Sequence, residues 1–165
     1  MHYSLSLPTV PPWPIVSITG AAAQHDAERD PRWHSLVTRL KSLRRHKRRA
    51  VRIVDVNCGD GTLLIQAVRL ARSLGFLAIE ALGVDSDADH IDDARDRARM
   101  LKDTAVGLDF QVAEAFAQLQ VEADFPADII LYDASARAPK ALRDAAARAG
   151  DLALRREPLS WEHRA

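Results

Sequence analysis

Cysteine is nearly absent: Cys58 is the only one among 165 residues, so no internal disulfide can form. That scarcity agrees with a reducing compartment, and the cytoplasm is the expected location. Net charge is missing too, with Lys+Arg and Asp+Glu equal at 23 each. No global field therefore draws the chain to nucleic acid or to a lipid surface. No apolar run is long enough to cross a bilayer, and no membrane association is expected. The opening stretch, MHYSLSLPTVPPWPIV, lacks a basic leader, and Pro8, Pro11, Pro12 and Pro14 interrupt it, so it does not read as a secretory signal. No internal repeat is visible. What remains is a chain 47% hydrophobic, of a length suited to one domain, with enough apolar side chains for a core on both faces of a sheet.

Residues 1–49 read as a proline-rich arm, extended before Ser17, followed by an amphipathic helix carrying Trp33, Leu36, Val37, Leu40 and Leu43 at helical spacing. From residue 50 to 157 strands and helices alternate, and 158–165 form a tail. Strands are expected near 51–55, 77–84, 108–113 and 127–132, with a short fifth over 151–155. Residues 62–74 are apolar nearly all round and suit a helix buried beside a sheet. Ser86-Asp87-Ala88-Asp89 resembles a capping box opening a helix with Ile91, Ala94, Ala98 and Leu101 inward. An alanine-rich helix over 139–149 is closed by Gly150. Such alternation makes an α/β fold, a mostly parallel sheet with helices on both faces. Ligands of these sheets lie outside the carboxyl ends of the strands.

The most informative stretch is Val51 to Ile65, VRIVDVNCGDGTLLI. A β-branched strand ends in Asp55, a tight loop follows, and a helix opens near Thr62, aiming unpaired N–H groups at whatever lies on the loop. Gly59 and Gly61 allow a sharp reversal and a close ligand approach. A dinucleotide fingerprint would need a third glycine where Leu64 stands, which weighs against a nicotinamide-dependent oxidoreductase. The run D-V-N-C-G-D-G-T resembles the first motif of class I S-adenosylmethionine-dependent methyltransferases, (D/E)-x-G-x-G-x-G. Asn57 stands at the first glycine, and asparagine is the side chain that best tolerates positive φ.

The resemblance covers roughly residues 50–135 and extends to later strand ends. It implies a Rossmann-like three-layer sandwich of about five strands in the order 3-2-1-4-5, with S-adenosyl-L-methionine as cofactor. Asp85, followed by Ser86, stands where the family carries an acid for both ribose hydroxyls. Glu114 and Ala115 match its acidic-plus-small pair around the adenine. Asp133, Ala134 and Ser135 fall near the transferable methyl, with Tyr132 beside them. Asn57, Cys58, Gly59 and Gly61 would hold the methionine end, its carboxylate favoured by the helix start, while Asp55 orients its ammonium. Asp133 is the candidate base should the acceptor need to lose a proton. The stretch LYDASA carries no signature of amino-group methylation, and no Pro-Cys pair for cytosine methylation occurs. The acceptor is thus unassigned, a small molecule being favoured. A catalytically silent S-adenosylmethionine-binding or assembly domain is the alternative.

Other residues have plainer readings. Cys58 suits a small filler beneath the loop, and His25, Trp33 and His34 suit capping or packing better than a lid. The run Arg39 to Arg52 holds eight Lys/Arg and no acid, so it could contact a nucleic-acid backbone, but cations also favour the helix C-terminus expected there. The family's final antiparallel hairpin is missing, since only REPLSWEHRA follows Arg155. Strand five is therefore expected to be an edge bearing Arg155, Arg156 and Glu157, covered by the proline-rich arm or by a second copy in a homodimer.

Overall fold

Strand and helix stretches alternate along the chain, and in the computed structural model the strands form one sheet with helices on both of its faces. The structure describes residues 18–133 and 139–156; the proline-rich arm, Ala134, Ser135 and the tail lie outside the described residues. In chain order the elements are α1 (Ile18–Arg29), α2 (Trp33–Arg45), β1 (Ala50–Val56), α3 (Thr62–Ser73), β2 (Ala78–Asp85) and α4 (Ala88–Ala98). Then come β3 (Val106–Val112), α5 (Ala115–Glu122), β4 (Ile129–Asp133), α6 (Lys140–Ala149) and β5 (Ala153–Arg156). The sheet has five strands in the order β3-β2-β1-β4-β5, every pair parallel. The expected strand order and three layers are present.

Strand alternation divides the core in two. Val51, Ile53, Ile79, Ala81, Ile129 and Leu131 face α2, α3 and α4, where Leu36, Leu40, Leu64, Val68 and Ile91 are sealed from water. Val54, Val56, Val84, Ile130 and Tyr132 face α5 and α6, packed on Leu119 and the alanines 145, 146 and 149. Helices therefore cover both faces, which explains why β1 and β4 carry apolar residues on both sides of the sheet.

Several expectations change in detail. Helix α2 runs two residues past the expected apolar stripe, and its buried Leu36, Leu40 and Leu43 make it part of the domain core. Helix α1 was not foreseen: ITGAAAQHDAER has no apolar stripe to announce it. The cap of α4 is Asp87, whose side chain accepts the Asp89 N–H at 2.9 Å, and Ser86 lies just before it. Gly150 ends α6 in extended, not left-handed, backbone. A Cβ there would come within 2.7 Å of Ile130 and 3.0 Å of the Ala127 carbonyl, so glycine serves close approach. Among the described residues β5 is the last strand on its side, as expected of an edge, and Arg156 reaches back to Asp133 at 3.6 Å.

Candidate functional site

The β1–α3 loop reverses through alternating left-handed residues: Asn57 at φ 62°, Gly59 at 54° and Gly61 at 69°. Asn57 thus adopts the conformation a glycine would supply, and its Nδ2 donates to the Asp133 carbonyl at 3.4 Å, tying this loop to the end of β4. The two glycines do different work. A Cβ on Gly61 would strike Phe110 at 2.7 Å and Ala94 at 2.9 Å, so Gly61 lets α3 settle on the core. A Cβ on Gly59 would meet nothing within 4 Å, so bare backbone there faces open space. Cys58 turns inward: its side chain is buried, and burial pushes the thiol pKa up, the charges of Asp55 and Asp85 adding to that. It is a filler, and only its backbone belongs to the loop surface.

Asp85 ends β2 beside that loop. One carboxylate oxygen accepts the Gly59 N–H at 2.9 Å, the other the Asp87 N–H at 3.0 Å, and His90 Nδ1 lies 3.6 Å away. Burial opposes the charge, but these N–H groups and His90 outweigh it and hold the pKa below the ordinary carboxylate value. The carboxylate therefore stays ionised near neutrality. Each oxygen keeps a further lone pair, enough to accept from two adjacent hydroxyls.

Asp55, Asp85 and Asp133 share one face of the sheet, because each is an even number of residues from a neighbour on the α2–α3–α4 side of its strand. All sit at carboxyl ends of parallel strands, and the charges of Asp85 and Asp133 are both felt at Asp55. Asp55 itself is fully buried. Burial is the main reason its pKa rises to about 6; Arg32 pulls it down, and the charges of Asp30, Asp133 and Asp85 add to the rise. Its partner is Arg32, from the turn between α1 and α2, with Nη1 3.5 Å from Asp55 Oδ1. Arg32 is gripped by Asp30, which accepts from Nε at 2.9 Å and Nη2 at 2.8 Å. Burial works against the Arg32 cation, but the Asp30 bonds and the pull of Asp55 prevail and raise its pKa.

Neither Arg32 nor Asp30 was found by sequence reasoning. No motif marks them, and a lone arginine in a polar turn gives no signal. Glu114 stands as expected just before α5, exposed, while Ala115 beneath it is buried. The Ala113 N–H donates to the Asp85 carbonyl at 3.0 Å, which fixes this segment against the β2 end. Of the expected residues, direct bonds link Asn57 to Asp133 and Gly59 to Asp85. Ser86 is exposed on the β2–α4 turn. At the start of α3 one N–H is already taken: Asp60 accepts from Thr62 at 3.1 Å and pairs with Arg97 at 3.0 Å. A ligand carboxylate expected at that helix end would meet an anion already in place.

With this geometry in view, a family model described as "Methyltransferase domain" matches residues 47–154. The chain belongs to the class I S-adenosylmethionine-dependent methyltransferases. Similar solved structures include magnesium protoporphyrin IX methyltransferase (ChlM) from Synechocystis PCC 6803 with bound SAH, 16% identical at a TM-score of 0.51, covering 81% of this chain and 54% of that one. WbdD is 17% identical at a TM-score of 0.53, covering 82% of this chain and 32% of that one. A protein described as a class I methyltransferase from Listeria monocytogenes is 22% identical over 70% of this chain and 29% of that one, with a TM-score of 0.47. At such identities the first two share the fold with this chain, which spans about half of the first protein's length and about a third of the other two.

The family's cofactor, S-adenosylmethionine, fits the residues of this methyltransferase rim. Asp85 offers free acceptor capacity, Gly59 offers open backbone, and Asp55 has two buried oxygens without hydrogen-bond partners. Packing accounts for other candidates. His25 bonds Arg29 at 2.8 Å within α1, and Trp33 lies against the core.

A hollow of about 550 Å³ lies at the opposite, amino edge of the sheet, lined by Arg48, Arg52, Glu80, Phe125 and Asp128 among others. Its charges are matched there: Arg48 meets Asp128 at 2.8 Å, while Arg52 meets Glu80 at 2.9 Å and also Glu122. The basic run therefore sits at the far edge from the acidic rim, and part of it is neutralised in place.

Proposed function

We propose that the chain binds S-adenosylmethionine across the carboxyl ends of β1, β2 and β4 and transfers its methyl group to a small-molecule acceptor. The observation that carries this is the Asp85 carboxylate, held ionised by the Gly59 and Asp87 N–H groups with lone pairs left for a ribose. When bound, the cofactor supplies a methyl group on a cationic sulfur, already reactive towards a nucleophile. The protein's part is then placement, and good alignment can lower such a barrier by about 7–11 kcal/mol.

Each residue has a share in that placement. Asp85 accepts from the ribose hydroxyls, and Gly59 lets the ligand lie against backbone. Glu114, at the exposed entrance to α5, accepts from the adenine amine, with buried Ala115 leaving room for the ring. Asp133, partly exposed at the end of β4 and beside Arg156, is the group that takes a proton where the acceptor must lose one. The test is a methyl-acceptor screen with S-adenosylmethionine labelled in the methyl group. Transfer of label to a small molecule, lost in Asp85→Asn, is the expected result. Cofactor binding without transfer to any of a broad acceptor panel would assign the chain to silent binding instead.

A further inference from the structure

The amino edge of the sheet carries cations that the fold does not use. Within the basic run, Arg39 pairs with Asp151, Arg48 with Asp128, and Arg52 with Glu80 and Glu122. Arg44 is a brace: its Nε donates to the Leu74 carbonyl at 3.0 Å and its Nη1 to the Arg48 carbonyl, pinning the turn between α2 and β1. Among the described residues, Lys41, Arg45, Lys47 and Arg49 are exposed and their side chains make no hydrogen bond or ion pair. Cations favour the last turn of a helix, which accounts for Arg45 but not for Lys47 and Arg49 beyond it.

Lys47 is the sharper observation. It follows the end of α2 at φ 61°, in the left-handed position where a helix ordinarily places glycine. Its N–H donates to the Arg44 carbonyl at 2.9 Å, and the Arg48 N–H to the Leu43 carbonyl at 3.0 Å, which completes that stop. A lysine there costs stability that glycine would not, and its side chain returns no bond to the fold. At the wall of the neighbouring hollow Phe125 is 72% exposed, with the Arg52 guanidinium 5.6 Å from its ring centroid. Cations beside an open aromatic ring make the two-part surface that grips single strands, phosphates on the cations and bases on the ring. An anionic lipid surface fits less well, because Glu80 and Asp128 line the same hollow and would be pressed against like charge.

We propose that the amino edge of the sheet is a docking surface for single-stranded nucleic acid. Lys47 and Arg49 hold phosphates, Lys41 and Arg45 extend the track, and Phe125 stacks a base. The chain has no net charge, so the attraction is local, reaching about 8 Å at physiological ionic strength. This edge lies opposite the carboxyl rim, so the strand is an attachment and not the methyl acceptor.

The experiment is fluorescence anisotropy of a labelled single-stranded RNA of about a dozen nucleotides, titrated with the full chain over a range of salt. With four phosphate contacts, log affinity should fall against log salt with a slope of about −3. Lys47→Gly should melt at or above the wild-type temperature, yet bind more weakly, with a slope shallower by about 0.7. Phe125→Ala should lose about 5-fold or more in affinity at every salt concentration with its slope unchanged, the mark of lost stacking. Should that variant fail to fold, Phe125→Leu, which keeps most of the volume, takes its place. Absence of salt-dependent binding by wild type overturns the inference. So does wild-type affinity in the Lys47 variant or in the Phe125 variant. Duplex RNA bound as tightly as the single strand overturns it too, because a paired base cannot stack on Phe125. Binding to phosphatidylserine vesicles without binding to RNA would assign the edge to a membrane instead.

Discussion

Arg32 Nη1 lies 3.5 Å from Asp55 Oδ1, and the two charges, both buried, make no hydrogen bond to each other. Burial makes the carboxylate resist ionisation and, although Arg32 pulls the other way, its pKa climbs from 3.8 to about 6. A raised carboxylate pKa stabilises the fold below the unfolded value and loses that contribution as pH rises through the folded one. The stability of wild type relative to Asp55→Asn should therefore fall between about pH 4 and 7, by on the order of 3 kcal/mol. Urea unfolding of both proteins across that range measures it; parallel stability curves would contradict the buried-charge account.

Asp85 carries the opposite sign. Its pKa is depressed, so its stabilisation is present above the ordinary carboxylate range and is lost as pH falls through the folded value. Thermal unfolding of Asp85→Asn should show a smaller loss of stability on acidification than wild type does. An equal loss in both would mean that the Gly59 and Asp87 N–H bonds do not hold the charge.

Glycine at 61 and glycine at 59 should answer differently to alanine. At Gly61 the new methyl meets Phe110 and Ala94 in left-handed backbone, and a cost of about 2–5 kcal/mol is expected from strain plus overpacking. At Gly59 the same change meets open space, so only the backbone term of about 1–2 kcal/mol applies, while nucleoside affinity drops because the methyl enters the ligand's path. Melting curves with and without S-adenosylhomocysteine separate the two effects.

Helix α2 should prove integral to the domain. Leu40 is completely buried against the α3 side of the core, and Leu40→Ala should cost about 2–5 kcal/mol. A change near zero in chemical denaturation would show α2 to be a detachable appendage.

Much of this architecture was legible because it rests on periodic burial. β1 and β4 carry apolar residues on both covered faces, and α2 and α4 carry stripes that a sheet can bury. The Asn57 turn was legible too, since the backbone requirement and the chemistry of asparagine agree. Asp60 at the start of α3 was hidden, because its carboxylate reads equally as a loop charge or a cap. Helix α1 was hidden for want of a stripe, and Arg32 because its partner Asp55 is distant in sequence. Such contacts belong to the fold and leave no local pattern. Strand β3 begins at Val106, two residues before the expected start, because Val106 and Gly107 pair with Ile79 and Glu80 on β2.

The most direct measurement is titration of S-adenosylhomocysteine into wild type and into Asp85→Asn at neutral pH, with melting curves to confirm that both are folded. A single site in wild type, weakened about 10-fold or more in the variant, is the outcome this arrangement of carboxylates requires. Equal affinity in two folded proteins would place the nucleoside elsewhere and contradict it.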